Sequence, residues 1–180
     1  ISEKKIAVPM ILAFGAVNSH LTNLGIRGFV SINIQTSEVL DTHSFAVLLG
    51  IGATTINPYL VFDSIYQRYE KKLFGKFNYK ECVQRYIKSI ENGLLKIMSK
   101  MGISVLSSYR GGCNFETVGL SRTLVKDFFP GILSKISGIG LNGIEKKIRD
   151  IHFDGFQSNS KVLPIGGIYK YRKNGETHQY

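Results

Sequence analysis

The chain has 180 residues, of which 43% are hydrophobic and 20% charged. It is long enough for a domain with its own core and too apolar to be intrinsically disordered. The formal net charge is +10, but the lysines are scattered along the chain and the doublets fall on separate predicted elements. This pattern predicts no contiguous basic face and argues against a nucleic-acid partner.

The first seventy residues predict three helices, one strand and one short segment that is either a strand or a turn. Apolar side chains at helical spacing, with Pro9 in a first helical turn and Gly25 as a cap, favour a helix over a signal peptide. The same apolar run is too short to cross a bilayer. Strict alternation after residue 29 predicts the strand. The predicted elements are helix 8–24, strand 29–36, a helix through residue 49 that either Asp41 or Thr42 caps, a short strand or turn at 54–57, and helix 58–69.

The long central helix has the clearest sequence signals. Asn78 and Glu81 have the spacing of a capping box, and apolar residues then recur for about six turns. Gly102 is placed to end this helix in the left-handed conformation. The apolar run Ile103 to Leu106 predicts a strand buried on both faces, and the turn Ser107 to Gly112 would lie at its carboxyl end, where α/β proteins bind ligands.

The remaining elements complete an α/β prediction. Ser121 is expected to cap a helix through Phe129, Pro130 to Gly143 to form a glycine- and serine-rich loop, and 144–153 a further helix. An Asn-Gly turn predicts a hairpin over 169–178. The expected fold is therefore helix-rich α/β with short, mostly parallel strands and a C-terminal hairpin.

No catalytic, cofactor-binding or metal-binding residue is predicted. The glycines Gly138, Gly140 and Gly143 form a G-x-G-x-x-G, but 131–137 is a poor strand, so a loop and the start of a helix explain them better than a nucleotide site. Cys82 is expected in the core and Cys113 as a packed thiol. Two cysteines without metal spacing favour a reducing compartment, here the cytoplasm.

Ser107, Ser108, Tyr109 and Arg110 are the candidate site residues. An arginine flanked by a tyrosine and two glycines can clamp a carboxylate or fix a neighbouring domain. A structural ion pair is an equally open interpretation of Arg110.

Three segments resemble the large chain of glutamate synthase. The first two are HSFAVLLGIGATTINPYL and GLLKIMSKMGISVLSSYRGGCNFETVGLS, and the third is SKISGIGLNGIE, which is followed at the end of the chain by GGIYKYRKNGETHQY. The chain departs from the family's usual residues in places. Asn18-Ser19-His20 replaces a run of histidines, Ile51 a Tyr, Thr54-Thr55 an Asp-Ala, and Gly112-Cys113 an Ala-Gln.

The resemblance implies a fragment that contains residues 1–70 from the end of the central domain, a connection at 71–77, and 78–180 from the start of an incomplete FMN-binding barrel. Such enzymes make two glutamates from glutamine, 2-oxoglutarate and a reductant, with ammonia passing through a tunnel. FMN and the iron–sulfur cluster would be bound outside this chain, and Ser107 to Arg110 would be tunnel or interface residues.

The implied partners are the glutaminase and FMN-barrel domains of the same large chain, with an electron-donor subunit or ferredoxin. Neither nucleic acid nor a membrane is expected as a partner. The alternative hypothesis is a non-catalytic α/β scaffold or interaction module.

Overall fold

The computed structural model describes residues 2–157. Residues 7–144 form one compact unit, and residues 2–6 with 145–157 belong to a second, smaller unit. Within the smaller unit, Arg149 pairs with Glu145 at 2.8 Å and the His152 Nε2 lies 2.9 Å from the Ser2 carbonyl oxygen. The larger unit contains the core and the candidate site.

The described part of the chain contains seven α-helices, a 3₁₀ turn and four short strands. The helices are α1 Met10–Asn23, α2 Thr42–Gly50, α3 Tyr59–Glu70, α4 Tyr79–Lys100, α5 Leu106–Tyr109, α6 Arg122–Phe128 and α7 Leu141–Gln157. The strands are β1 Asn33–Gln35, β2 Thr55–Asn57, β3 Glu116–Leu120 and β4 Leu133–Ile139, and the 3₁₀ turn is Arg27–Phe29.

The strands form two separate parallel pairs. β1 pairs with β2, and β3 pairs with β4. A helix lies between the strands of each pair in the chain, α2 in the first and α6 in the second, so each pair is a βαβ unit. The helix-rich α/β prediction with parallel strands is confirmed over the described residues. The predicted hairpin at 169–178 lies outside them.

The main core collects apolar side chains from α1, α2, α6 and the strand β1. Its buried members are Leu12, Phe14, Ile34, Val39, Leu48, Ile51, Ala53, Leu124, Val125 and Phe129. A second cluster joins Ala46 and Leu49 of α2 to Met98 and Tyr109. Helix α2 therefore contributes to both clusters, and this places its C-terminal end beside the candidate site.

The predicted helix caps are present. The Asn78 Oδ1 accepts from the Glu81 N–H at 2.9 Å, and the Glu81 Oε2 accepts from the Asn78 N–H at 2.8 Å, which completes the capping box of α4. The side chains of Asp41 and Ser121 cap α2 and α6 by accepting from the N–H groups of Ser44 and Leu124. Polar side chains thus satisfy helix N–H groups that have no partner within the helix.

The strand predicted over 103–106 is wrong. Leu106 begins the short helix α5, and Val105 and Leu106 are 52% and 41% exposed. A short run in which three of four residues are apolar predicts a buried strand only where a neighbouring strand is available to pair with it. The predicted strand 29–36 is also too long, because the 3₁₀ turn occupies its start and β1 pairs with β2 over three residues.

The loop predicted over Pro130 to Gly143 is wrong as well, since it contains β4. A Cβ at Gly138 would collide with the backbone of Gly119 on β3. The glycines therefore allow two strands to approach closely, where the sequence pattern alone favoured a loop. β3 itself was not predicted.

Candidate interface at the Ser107–Gly112 corner

In the corner formed by Ser107 to Gly112, one of the four predicted site residues is buried and the other three are exposed. Tyr109 is 1% exposed, and its hydroxyl donates to the Ala46 carbonyl oxygen at 3.1 Å. Burial raises the pKa of this phenol. Ser107, Ser108 and Arg110 are exposed. Tyr109 is therefore an anchor, and the other three side chains are available to a neighbouring surface.

Main-chain hydrogen bonds fix the corner to the C-terminal end of α2. The Gly111 N–H donates to the Leu49 carbonyl oxygen at 3.1 Å, and the Cys113 N–H donates to that of Gly50 at 3.0 Å. The last carbonyl groups of a helix have no hydrogen-bond donor within the helix. These bonds therefore give partners both to the carbonyls at the end of α2 and to the N–H groups of the corner. Gly111 has φ +74, a conformation that a side chain would strain.

The turn that follows α2 is held by Arg27, a residue that the sequence analysis missed. Its Nε donates to the Asn18 Oδ1 at 2.6 Å, its Nη2 to the Gly52 carbonyl oxygen at 2.6 Å and its Nη1 to that of Val30 at 2.8 Å. A signal was available, because Arg27 is the one Asp, Glu, Lys or Arg residue between residues 6 and 37.

Several departures from the resembled pattern meet around this turn. Asn18 is joined to Gly52 through Arg27. Ile51 is 6% exposed in the main core, and the Cys113 N–H is bonded to the end of α2. Substitutions that are far apart in sequence therefore share one structural neighbourhood.

The two cysteines occupy different environments, and both are free thiols. Cys82 is buried on α4, as predicted. Cys113 is half-buried with φ +50, and its Sγ lies 4.0 Å from the Pro130 carbonyl oxygen. Over residues 2–157, His, Cys, Asp and Glu side chains form no group of three or more that could hold a metal ion.

A cleft of about 350 Å³ lies where β3 and β4 end. It is lined by Ser121, Thr123, Leu124, Asp127, Phe128, Gly140, Leu141 and Asn142. The G-x-G-x-x-G glycines are adjacent, and here the strand that the sequence analysis considered poor does precede them. Gly138 allows close contact with β3, and a Cβ at Gly143 would lie 2.8 Å from the Ile139 Cβ. Packing therefore accounts for these two glycines.

A second, apolar groove of about 260 Å³ lies between α1, α2 and β3. It is lined by Pro9, Ile11, Leu12, His43, Val47, Ile51, Phe115, Glu116, Thr117, Leu120, Phe129, Ile132 and Ile144. The ring of Phe115 occupies the space beside Gly50, where a Cβ would collide with it. The groove therefore adjoins the end of α2, on which the corner rests.

The chain matches a known domain family through its first two thirds. The family model described as glutamate synthase central domain matches residues 1–121. This match covers more than half of the chain, and the chain therefore belongs to the glutamate synthase central domain family. The match runs through the predicted connection at 71–77. The division of the chain at that connection remains a prediction.

Whole-chain comparisons agree with this family. The chain is 54% identical over 172 residues to the glutamate synthase [NADPH] large chain of Azospirillum brasilense, covering 96% of this chain and 11% of that one. It is 38% identical to the Bacillus subtilis large chain and 39% identical to the ferredoxin-dependent glutamate synthase of Pyropia yezoensis, each match covering 99% of this chain and 12% of the relative. The chain thus corresponds to about one ninth of an oxidoreductase large chain. Among the described helices, none has the length and apolar character needed to cross a membrane.

Proposed function

We propose that this chain is a structural segment of a glutamate synthase large chain, which converts glutamine, 2-oxoglutarate and reductant into two glutamates. Its own contribution is to build the boundary between domains and to border the ammonia route, without supplying catalytic groups. The glutaminase and FMN-barrel domains of the same large chain are its proposed neighbours, and the cytoplasm its proposed location, in keeping with two free thiols.

The anchoring of the corner is the observation that carries this proposal. Tyr109 and two main-chain bonds fix the corner to α2, while Ser107, Ser108 and Arg110 remain exposed. A rigid support that presents two hydroxyls and a guanidinium outward is suited to a fixed polar contact with an adjoining domain, because little ordering entropy is lost when the contact forms. The domain division 1–70, 71–77 and 78–180 belongs to this proposal. Residues on both sides of 71–77 lie in one compact unit, so that connection would divide a jointly folded region.

The cofactors of the whole enzyme are proposed to be bound elsewhere, because the described residues do not fit them. An iron–sulfur cluster needs several cysteine ligands, whereas Cys82 is buried on α4 and Cys113 lies beside Pro130. The cleft at the ends of β3 and β4 is lined by Asp127 and by no arginine or lysine. A carboxylate without a compensating cation is unfavourable for the FMN phosphate.

Arg110→Ala in the full-length large chain tests the proposal. We expect glutamine-dependent glutamate formation to fall several-fold relative to formation from added ammonia, because the domain contact beside the route is weakened. Lys96→Ala, at an exposed position of α4, is the matched control and should leave the ratio unchanged. An unchanged ratio in Arg110→Ala, with unchanged stability of the large chain, contradicts the proposed role of the corner.

A scaffold function is the second candidate, and exposed apolar residues on the β3–β4 pair favour it. Val118, Leu133 and Ile136 are 69%, 63% and 60% exposed. Parallel strands are ordinarily covered on both faces, so these side chains would pack against other parts of the large chain. Under this alternative, Ile136→Thr lowers the stability of the large chain while the ratio of glutamine-dependent to ammonia-dependent formation stays constant.

A further inference from the structure

The tip between α3 and α4, defined as residues 68–80, concentrates the positive charge of the chain. Its thirteen residues carry five basic side chains and one acidic side chain, which gives +4 of the net +10. The five basic residues are all exposed, namely Arg68, Lys71, Lys72, Lys76 and Lys80. Neither of the two ion pairs found within residues 2–157 includes any of them. The tip therefore presents positive charge that these ion pairs do not neutralise.

Apolar surface is exposed among these lysines. Leu73 is 66% exposed and Phe77 is 41% exposed. The Arg85 guanidinium lies over the Phe77 ring, with its Cζ 4.0 Å from the ring centroid. Exposed apolar, aromatic and arginine side chains framed by lysines are typical of the centre and rim of a protein–protein interface.

The backbone of the tip is already ordered by its own hydrogen bonds. The Lys72 N–H donates to the Tyr69 carbonyl oxygen at 2.8 Å, and the Leu73 N–H to that of Arg68 at 3.1 Å. Lys72 and Gly75 have φ of 56° and 62°, so the backbone is in the left-handed conformation at both residues. A preformed surface loses little conformational entropy when a partner binds.

We propose that the tip docks an acidic protein surface, with Leu73 entering an apolar depression and the lysines facing carboxylates around it. Proteins that bind single-stranded nucleic acid stack successive bases on aromatic rings, whereas Phe77 is the one large exposed aromatic side chain among residues 68–80 and Arg85 lies over its ring. One exposed leucine and a phenylalanine partly covered by Arg85 supply little apolar surface for insertion into a bilayer. A carboxylate-rich protein surface with an apolar depression would contact both the exposed basic side chains and the exposed Leu73.

Binding of the full chain to model probes tests the proposal. The probes are a labelled peptide of alternating glutamate and leucine, a control peptide of equal length in which serine replaces each leucine, phosphatidylserine-containing vesicles and a single-stranded oligonucleotide. We expect the glutamate–leucine peptide to bind most tightly and its affinity to fall as salt screens the lysines. Tighter binding of vesicles or oligonucleotide, or equal binding of the two peptides, overturns the proposal.

Two variants assign the binding to the tip. Lys71→Glu/Lys72→Glu should weaken binding of the glutamate–leucine peptide by about tenfold or more, because the charges that would attract the carboxylates are reversed. Lys146→Glu/Lys147→Glu makes the same charge change at an exposed doublet on α7, and should weaken it much less. Leu73→Ser should abolish the preference for the leucine-containing peptide. Equal weakening by the two doublets, or an unchanged preference in Leu73→Ser, contradicts the proposal, and unchanged circular dichroism verifies that each variant is folded.

Discussion

The two ends of α4 lead into regions that are held together in opposite ways. At its N-terminus, the α3–α4 tip is formed by contacts among neighbours in sequence, with lysines and Leu73 exposed. At its C-terminus, the Ser107–Gly112 corner is tied to α2 through Tyr109 and Ala46, which are 63 residues apart. The comparison indicates that substitutions at the buried or hydrogen-bonded residues of the corner change folding stability, whereas substitutions at the exposed lysines and Leu73 of the tip change binding and leave stability intact.

Removing the buried anchor should have the largest effect. Tyr109→Ala is expected to lower the free energy of unfolding by about 3–5 kcal/mol, because it leaves a cavity between α2 and α4 and removes a hydrogen bond. Tyr109→Phe should cost about 1 kcal/mol, the contribution of one hydrogen bond. Urea denaturation measures both. Tyr66→Ala, at a 53% exposed position next to the tip, is the control, and an equal loss there would remove the contrast between the regions.

A pair of glycines provides the next comparison. Gly111 in the corner and Gly75 in the tip have similar positive φ values of 74° and 62°. Gly111→Ala should cost about 1–3 kcal/mol, because the hydrogen bond to Leu49 prevents the backbone from relaxing. Gly75→Ala should cost less, since the tip is exposed and no atom lies within 4 Å of the added Cβ. Thermal denaturation of both variants would contradict this if Gly75→Ala were the more damaging change.

The cap of α4 tests a local stabilisation at the end of the tip, where side-chain hydrogen bonds hold the start of the helix. Asn78→Ala should lower the free energy of unfolding by about 1 kcal/mol, because it leaves the Glu81 N–H without its acceptor. Asn92→Ala, at an exposed position within the same helix, should be neutral or slightly stabilising, because alanine has the higher helix propensity. Guanidinium denaturation of the two variants measures the difference, and a neutral Asn78→Ala would show that the cap contributes little.

The smallest expected effect is a pH dependence of stability at the N-terminus of α2, the helix whose other end supports the corner. The pKa of Asp41 is lowered from its ordinary value of 3.8, chiefly by the hydrogen bond from the Ser44 N–H and further by the Ser44 hydroxyl and the nearby His43, against the effect of burial. This stabilisation is present above the unfolded pKa and is lost as pH falls through the folded pKa. In Asp41→Asn, the amide oxygen still caps α2 and does not titrate, so its stability should depend less on pH below about 4. Parallel pH profiles of the two proteins would refute this assignment.

Local signals predicted much of the fold. The caps at Asp41, Asn78 and Ser121 and the left-handed Gly25 and Gly102 are where the sequence places them. Each depends on groups within a few residues of one another. The errors concern pairing over longer distances, since β3 and β4 depend on the contact between Gly119 and Gly138. Within residues 2–157, no strand pairs with 103–106.

The sequence predicted which residues form the candidate site better than it predicted which of them are buried or exposed. The sequence identified the polar corner, but nothing in its local pattern indicated that Tyr109 would be buried while Arg110 remained exposed. Arg27 was missed because it lies in a loop with no motif, although its isolation among uncharged residues marked it. The role of Ser107, Ser108 and Arg110 as tunnel or interface residues remains a prediction.

One carbonyl oxygen at the end of α2 is shared between the helix's own turn and the corner. The Leu49 carbonyl accepts from the Gly52 N–H at 3.0 Å, within its own turn, and from the Gly111 N–H at 3.1 Å. Exchange of these two amide hydrogens with deuterated solvent should consequently be correlated, because any opening that displaces this oxygen exposes both donors at once. Local opening of the turn after α2 would thereby also weaken the hydrogen bond of Gly111, about sixty residues further along the chain.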